Sequence, residues 1–95
     1  MWIRLRGDFN GCWDDFLCLS HSDEATDESG ALIQLSSGMR VLAFELNSMP
    51  GEQTEYLIVT GETVRSPEPL CQSGSRWAVR IDSRGIRRVG SLDDA

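Results

Sequence analysis

Residues 2–19, WIRLRGDFNGCWDDFLCL, carry the strongest local signal in the chain, and the fold that the sequence predicts is built on them. The dipeptide Asn10-Gly11 lies between two segments with alternating apolar residues, and both of its residues tolerate the positive φ of a tight hairpin turn. A two-residue loop fixes the register of the strands that it joins. Two apolar pairs then share one face of the predicted β-hairpin: Leu5 with Phe16, and Ile3 with Cys18.

The opposite face of this predicted hairpin combines aromatic, charged and aliphatic side chains. Tryptophan and arginine are enriched at the energetic centres of protein interfaces. If no second layer covers this face, it is a surface for a partner protein. The candidate contact residues are Trp2, Arg4, Arg6, Trp13, Asp15 and Leu17.

Further strand patterns follow along the chain. Residues 39–46 are apolar at both alternating sets of positions, which predicts a strand buried on both faces. Residues 55–65 form a long β-branched strand whose interior Gly61 indicates a bulge or a sharp bend. Residues 75–82 alternate cleanly, with Trp77 directed inward, and a turn at residues 83–85 leads into a last strand at 86–89. The acidic segment 20–30 is predicted to be a loop.

These patterns predict an all-β fold of six to seven short strands with essentially no helix. The spacing and the glycine bend favour a small closed or partly open barrel, SH3-like or OB-like, and a two-layer β-sandwich is the alternative. Ninety-five residues suffice for one hydrophobic core. The predicted organisation is a single β-barrel domain over residues 1–90, followed by a frayed tail at residues 91–95.

Charge is unevenly distributed in this chain of net charge −6, whose nine basic residues are all arginine. The net charge makes nucleic acid an unfavourable general partner, because phosphate binding needs net attraction. The C-terminal strands are nevertheless basic, which leaves single-stranded nucleic-acid binding as the alternative function. The arginines of this predicted hairpin are Arg76, Arg80, Arg84, Arg87 and Arg88.

Catalytic and metal-binding patterns are weak. His21 is the only histidine, and Cys18, the cysteine nearest to it in sequence, faces the core in the predicted register. The acidic residues 23–28 lack the calcium-loop pattern, and Cys12, Cys18 and Cys71 lack zinc-ligand spacing. We therefore expect no enzymatic activity, no cofactor and no metal.

The expected function is that of a small acidic interaction module of the inhibitor, immunity or adaptor type, which binds a partner protein. Three cysteines without paired spacing suit a reducing compartment, and no segment has the length or apolarity of a membrane span. The expected location is the cytoplasm. The chain is similar to small bacterial β-barrel proteins, and this likeness implies no activity.

Overall fold

The computed structural model describes residues 2–48, 51 and 53–95. This part of the chain is mostly β, which confirms the all-β prediction. It contains nine strands, one turn of α-helix and one turn of 3-10 helix. In chain order these are β1 (Ile3–Arg6), β2 (Cys12–Trp13), β3 (Phe16–Ser20), β4 (Glu24–Thr26), β5 (Leu32–Gln34), β6 (Arg40–Leu46), β7 (Tyr56–Arg65), α1 (Glu68–Cys71), β8 (Trp77–Ile81), β9 (Arg87–Val89) and the 3-10 turn Leu92–Asp94.

The main sheet has seven strands in the order β1-β6-β7-β8-β3-β2, with β9 also paired to β7. Only β1 and β6 run parallel; the other pairs are antiparallel. The sheet curls, so that the Asp8 amide after β1 donates to the Cys18 carbonyl on β3 at 3.2 Å. Within the described chain, no ladder joins β1 to β2, and the sheet is not closed into a barrel.

The prediction of a β-hairpin with its turn at Asn10-Gly11 is wrong. Strand β1 pairs with β6, where Leu5 lies opposite Ala43, and the two-residue turn is instead Asp14-Asp15, between Trp13 and Phe16. The glycine serves close packing: a Cβ on Gly11 would lie 2.8 Å from the Cβ of Cys18. The local preference of Asn10-Gly11 for a turn is therefore weaker than the stabilisation that β1 gains by pairing with β6, where Leu5 is completely buried.

Residues 20–30 do not form a simple loop. Strand β4 lies within them and pairs with β5 in a separate two-stranded sheet. Its central residue, Ala25, is buried in the core, although both of its neighbours are polar. A small side chain between polar residues gives a weak strand signal, which is why the pattern failed here.

Two short helical turns replace predicted irregular chain. Pro67 and Pro69 lie at the start of α1, where a missing amide hydrogen costs no helical bond. In the predicted frayed tail, the Ser91 hydroxyl accepts a hydrogen bond from the Asp93 amide and caps the 3-10 turn. Leu92 of this turn is buried, so residues 91–95 include a packed element.

Strand β6 supports a core on each face, as its apolar pattern predicted. Val41 and Ala43 belong to the larger cluster on the inner face, whereas Leu42 and Phe44 belong to a smaller cluster on the outer face. The outer cluster includes Leu92, and Trp2, Tyr56 and Val89 pack against it. In the described residues, no helix is long and apolar enough to span a membrane.

Strands β8 and β9 do not form the predicted hairpin. Both pair with β7 in the antiparallel direction: residues 77–81 with residues 65–61, and residues 87–89 with residues 58–56. Strands β8 and β9 therefore lie one after the other along the same edge of β7. Residues 82–86 separate them and lie opposite Val59 and Thr60 of β7. The segment predicted to reverse the chain at 83–85 is therefore a bulging loop, here called the 82–86 loop.

A substitution at Gly61 tests whether β7 and β8 need their close approach at this position. A Cβ at this position would lie 2.0 Å from the Arg80 carbonyl oxygen, a backbone atom that cannot move aside. Gly61→Ala is expected to destabilise the fold by about 3 kcal/mol, measured by urea unfolding with tryptophan fluorescence. Gly90→Ala is the control: its Cβ meets no atom of the described residues within 4 Å, so a change below ~0.5 kcal/mol is expected. Equal stabilities of the two variants would contradict the close approach.

Candidate partner-binding surface

The predicted contact residues lie in different environments. Leu17 is completely buried in the inner core, which corrects its predicted place on a partner-binding face. Arg4 is held in two ion pairs, to Glu28 at 2.9 Å and to Asp93 at 2.8 Å. The first pair connects β1 to the segment between β4 and β5, and the second connects it to residues 91–95, so Arg4 has a structural role.

Arg6 and Asp15 are exposed at the surface. The Arg6 guanidinium lies over the Phe44 ring at 5.4 Å. The Asp15 carbonyl accepts a hydrogen bond from the Ile81 amide at 2.7 Å, which ties the turn between β2 and β3 to the end of β8.

Trp2 and Trp13 share the outer face of the sheet, although not through the predicted hairpin. Residues directly opposite each other on paired strands point to the same face. The registers place Trp13 beside Phe16, Phe16 beside Arg80, Arg80 beside Glu62, and Glu62 beside Arg40. The Arg40 guanidinium lies 4.5 Å from the centre of the Trp2 ring and completes the series. We call these six residues the aromatic–arginine row: Trp13, Phe16, Arg80, Glu62, Arg40 and Trp2.

The row crosses the sheet rather than following any strand. Five strands contribute neighbouring positions, and Trp2 lies one residue before β1. With strands about 4.8 Å apart, six neighbouring side chains span roughly 24 Å. A row of this length is long enough to contact several side chains of a partner.

The exposed end of the row is aromatic. Trp13 lies in the two-residue strand β2 and is 43% exposed. Its ring lies nearly parallel to that of Phe16, with 17° between the planes and 6.1 Å between the centroids. This stack restricts the indole without burying it, so little conformational entropy would be lost when another molecule packs on it.

The middle of the row is charged. Arg80 and Glu62 approach to 3.7 Å, and their side chains are 60% and 52% exposed. An exposed pair at this distance contributes little to stability. Both groups therefore remain available for hydrogen bonds to a partner at little cost in folding energy.

Several positions next to the row on the same face are buried. On β7, Thr60 precedes Glu62 on the outer face and is 1% exposed. On β8 and β3, the next outward residues after Arg80 and Phe16 are Ala78 and Cys18, which are 0% and 3% exposed. Members of the row therefore have buried neighbours on three of their strands.

The 82–86 loop forms one border of the row, and a hydrogen-bond network holds it there. The Asp82 carboxylate accepts from the Thr60 hydroxyl at 2.5 Å and from the Arg84 amide at 3.0 Å. Arg87 also donates to the Thr60 oxygen, at 3.2 Å. Next to this network is a cavity of about 320 Å³, whose lining includes Phe16, Glu62 and Arg80 of the row.

Two opposing effects set the acidity of Asp82. Partial burial raises the pKa of its carboxyl group, whereas hydrogen bonds from Thr60 and Arg84 and the charges of Arg84 and Arg87 lower it. The lowering effects prevail, and the pKa of Asp82 lies below its usual value. The border of the row is therefore held by an ionised carboxylate at neutral pH.

The five C-terminal arginines do not form one basic ribbon. Arg76 pairs with Asp23 at 3.1 Å, Arg80 faces Glu62 in the row, and Arg87 is half-buried beside Thr60. Arg84 and Arg88 are exposed. Because β8 and β9 extend along one edge of β7, their arginines are spread over more than one region of the surface.

The three cysteines and the histidine are not gathered into one metal site. Cys18 is buried, while Cys12 and Cys71 are exposed. Partial burial, with the charges of Asp8 and Glu45, raises the pKa of the Cys12 thiol. Among the described residues, no group of three or more His, Cys, Asp or Glu is arranged to hold a metal ion.

Three residues of the row were missed, Phe16, Glu62 and Arg40, and Arg80 was predicted only as a nucleic-acid contact. The alternation in residues 75–82 already placed Arg80 on the outside, and the same reasoning applies to Glu62 and Arg40. The sequence does not show the order of the strands in the sheet, and this order decides which outward residues become neighbours.

In comparisons with known proteins, no family model, curated protein or solved structure matches the chain.

The Asp82 network predicts a specific dependence of stability on pH. A carboxyl group whose pKa is lowered by folding stabilises the fold above its unfolded pKa of about 3.9, and this contribution is lost as pH falls through the folded pKa. Asp82→Asn is expected to lower the free energy of unfolding by about 1 to 2 kcal/mol at pH 7. The difference from the wild type should shrink at about pH 3.

Urea unfolding of both proteins at the two pH values measures this effect. Asp94→Asn, which removes an exposed carboxylate outside the network, is expected to change stability by less than ~0.5 kcal/mol at pH 7. A constant difference between Asp82→Asn and the wild type from pH 7 to pH 3 would show that the charge of Asp82 is not responsible.

Proposed function

We propose that this chain is a non-enzymatic interaction module that binds a partner protein through the aromatic–arginine row. The observation that carries the proposal is that six side chains are neighbours on one face of the sheet and that four of them, Trp13, Arg80, Glu62 and Arg40, are exposed. Tryptophan and arginine recur at interface hot spots because they combine a large contact area with directional hydrogen bonds. Trp13 and Arg80 supply these two properties in the row.

The size of the row defines its role in an interface. A strip of roughly 24 Å by 10 Å covers a few hundred Å², less than the ~800 Å² per partner of a stable complex. The row is therefore proposed as the centre of the interface. The turn at Asp14-Asp15 and the 82–86 loop border it and would supply the polar rim.

Charge favours a protein over a nucleic acid as the partner. The chain has a net charge of −6, and Asp14 and Asp15 lie in the turn that joins Trp13 to Phe16. These carboxylates would repel a phosphate backbone, whereas they can pair with basic side chains of a protein. Inhibitor, immunity and adaptor proteins of this size are the proposed class.

Pairs of matched variants test the proposal. Trp13→Ala and Arg80→Ala shorten two exposed side chains of the row. Leu46→Ala and Arg88→Ala shorten an exposed aliphatic residue and an exposed arginine outside it. A protein captured by the wild-type chain from extracts of its native cells should be lost or bound at least roughly tenfold more weakly with the row variants. The control variants should retain it.

Site-specific photo-crosslinking identifies the surface in contact. A photoreactive residue at position 62, in the middle of the row, should crosslink to the captured protein, whereas the same residue at position 46, exposed but outside the row and its borders, should not. Capture that survives both row variants, with their fold verified by circular dichroism, would contradict the proposal.

A binding measurement with single-stranded oligonucleotides distinguishes the protein-partner proposal from the nucleic-acid alternative. Binding of single-stranded oligonucleotides at low salt, abolished by Trp13→Ala and Arg80→Ala, would reassign the row to nucleic acid and overturn the protein-partner proposal. We expect no such binding from a surface flanked by carboxylates.

A further inference from the structure

A second cavity, of about 560 Å³, lies near the junction of β7 and β8 and shares no lining residue with the aromatic–arginine row. Two arginines and the histidine line it from three separate segments: His21 after β3, Arg65 at the end of β7 and Arg76 before β8. The other lining residues include Ser66 and Cys71. We propose that this cavity binds the phosphate group of a small molecule.

The backbone joins the two segments that carry the arginines. Arg65 lies opposite Trp77 in the ladder between β7 and β8, and the Ser66 amide donates to the Arg76 carbonyl at 3.0 Å. The ends of the two strands are thus joined where the arginine side chains leave the backbone. Two guanidinium groups carried by paired strands can bind different oxygens of one phosphate.

The Arg65 side chain is held in place while its charge remains available. Its guanidinium lies 4.6 Å from the centre of the Trp77 ring, an orienting cation–π contact. Among the described residues, no carboxylate lies within salt-bridge distance of Arg65. An arginine that is oriented by an aromatic ring and lacks a carboxylate partner is suited to receive an anion.

Asp23 organises the second half of the site. One carboxylate oxygen accepts from the Trp77 indole nitrogen at 2.9 Å, and the other pairs with Arg76 at 3.1 Å. A single carboxylate therefore positions both the ring under Arg65 and the Arg76 guanidinium. Asp23 neutralises the charge of Arg76, and Arg65 remains without a carboxylate partner among the described residues.

His21 adds a third group that can contact the anion. Gly74 has φ +99°, and a Cβ there would lie 3.1 Å from the His21 Nδ1 atom. The left-handed glycine thus lets the backbone approach the imidazole ring at the cavity wall. The cavity is larger than a phosphate ion, which leaves room for the organic group of a phosphate monoester.

Titration with inorganic phosphate and with glycerol phosphate, followed by amide NMR shifts, tests the site. Both ligands should produce saturable shifts at residues 21, 65–66 and 74–76. Arg65→Gln should weaken binding by roughly tenfold or more, since it removes a charged hydrogen-bond donor. Arg88→Gln, which changes an exposed arginine outside the cavity, should leave the affinity unchanged. Non-saturating shifts, or equal effects of the two substitutions, would overturn the proposal.

The thiols provide a second measurement with an internal control. Cys71 lines the cavity, whereas Cys12 is exposed and does not line it. Bound phosphate should slow alkylation of Cys71 severalfold and leave Cys12 unaffected, compared with chloride at the same ionic strength. Equal rates at Cys71 with and without saturating phosphate would contradict occupancy of the cavity. The row and this cavity have separate variants, so failure of one proposal is distinguishable from failure of the other.

Discussion

Strand β7 must accommodate β6 along one edge and two successive strands along the other, and the rest of the sheet is arranged around this requirement. Its residues 61–65 pair with β8 and its residues 56–58 with β9. The close approach of Arg80 to Gly61 leaves no room for a side chain at the point where the pairing with β8 ends. Between β8 and β9, the five residues 82–86 lie opposite only two residues of β7, Val59 and Thr60. The three extra residues form a bulge.

This bulge connects the packing of the sheet to its surface. Asp82 enters the loop and binds back to Thr60, which is buried on the outer face of β7. The loop and the 3-10 turn at Leu92–Asp94 cover one part of that face, and the aromatic–arginine row lies where this cover ends. Coverage of a sheet by short irregular segments thus determines which of its residues a partner can reach.

Residue patterns predicted what depends on a single strand. The alternation around Trp77 and Val79, the two apolar faces of β6 and the unusual position of Gly61 all follow from side chains spaced two residues apart. Pairing between strands was not predictable in the same way. Asn10-Gly11 has a strong local preference for a hairpin, but the parallel pairing of β1 with β6 overrides it.

The surface was predictable only in part for the same reason. Trp2 and Trp13 were recognised by their chemistry, whereas Arg80, Glu62 and Arg40 join them only once the strand order is known. Leu17 was misplaced because the predicted register put its side chain on the wrong face. In the cavity near Trp77, Arg65 and His21 come from segments that no sequence spacing relates to each other.

The row has a consequence for how the molecule can be recognised. Its members come from positions 2, 13, 16, 40, 62 and 80 and are ordered by the sheet, not by the chain. Positions 2 to 80 cover most of the chain, so a short peptide cannot reproduce the whole row. Any binder directed at it, an antibody included, reads a discontinuous epitope and reports that the chain has reached its complete tertiary structure.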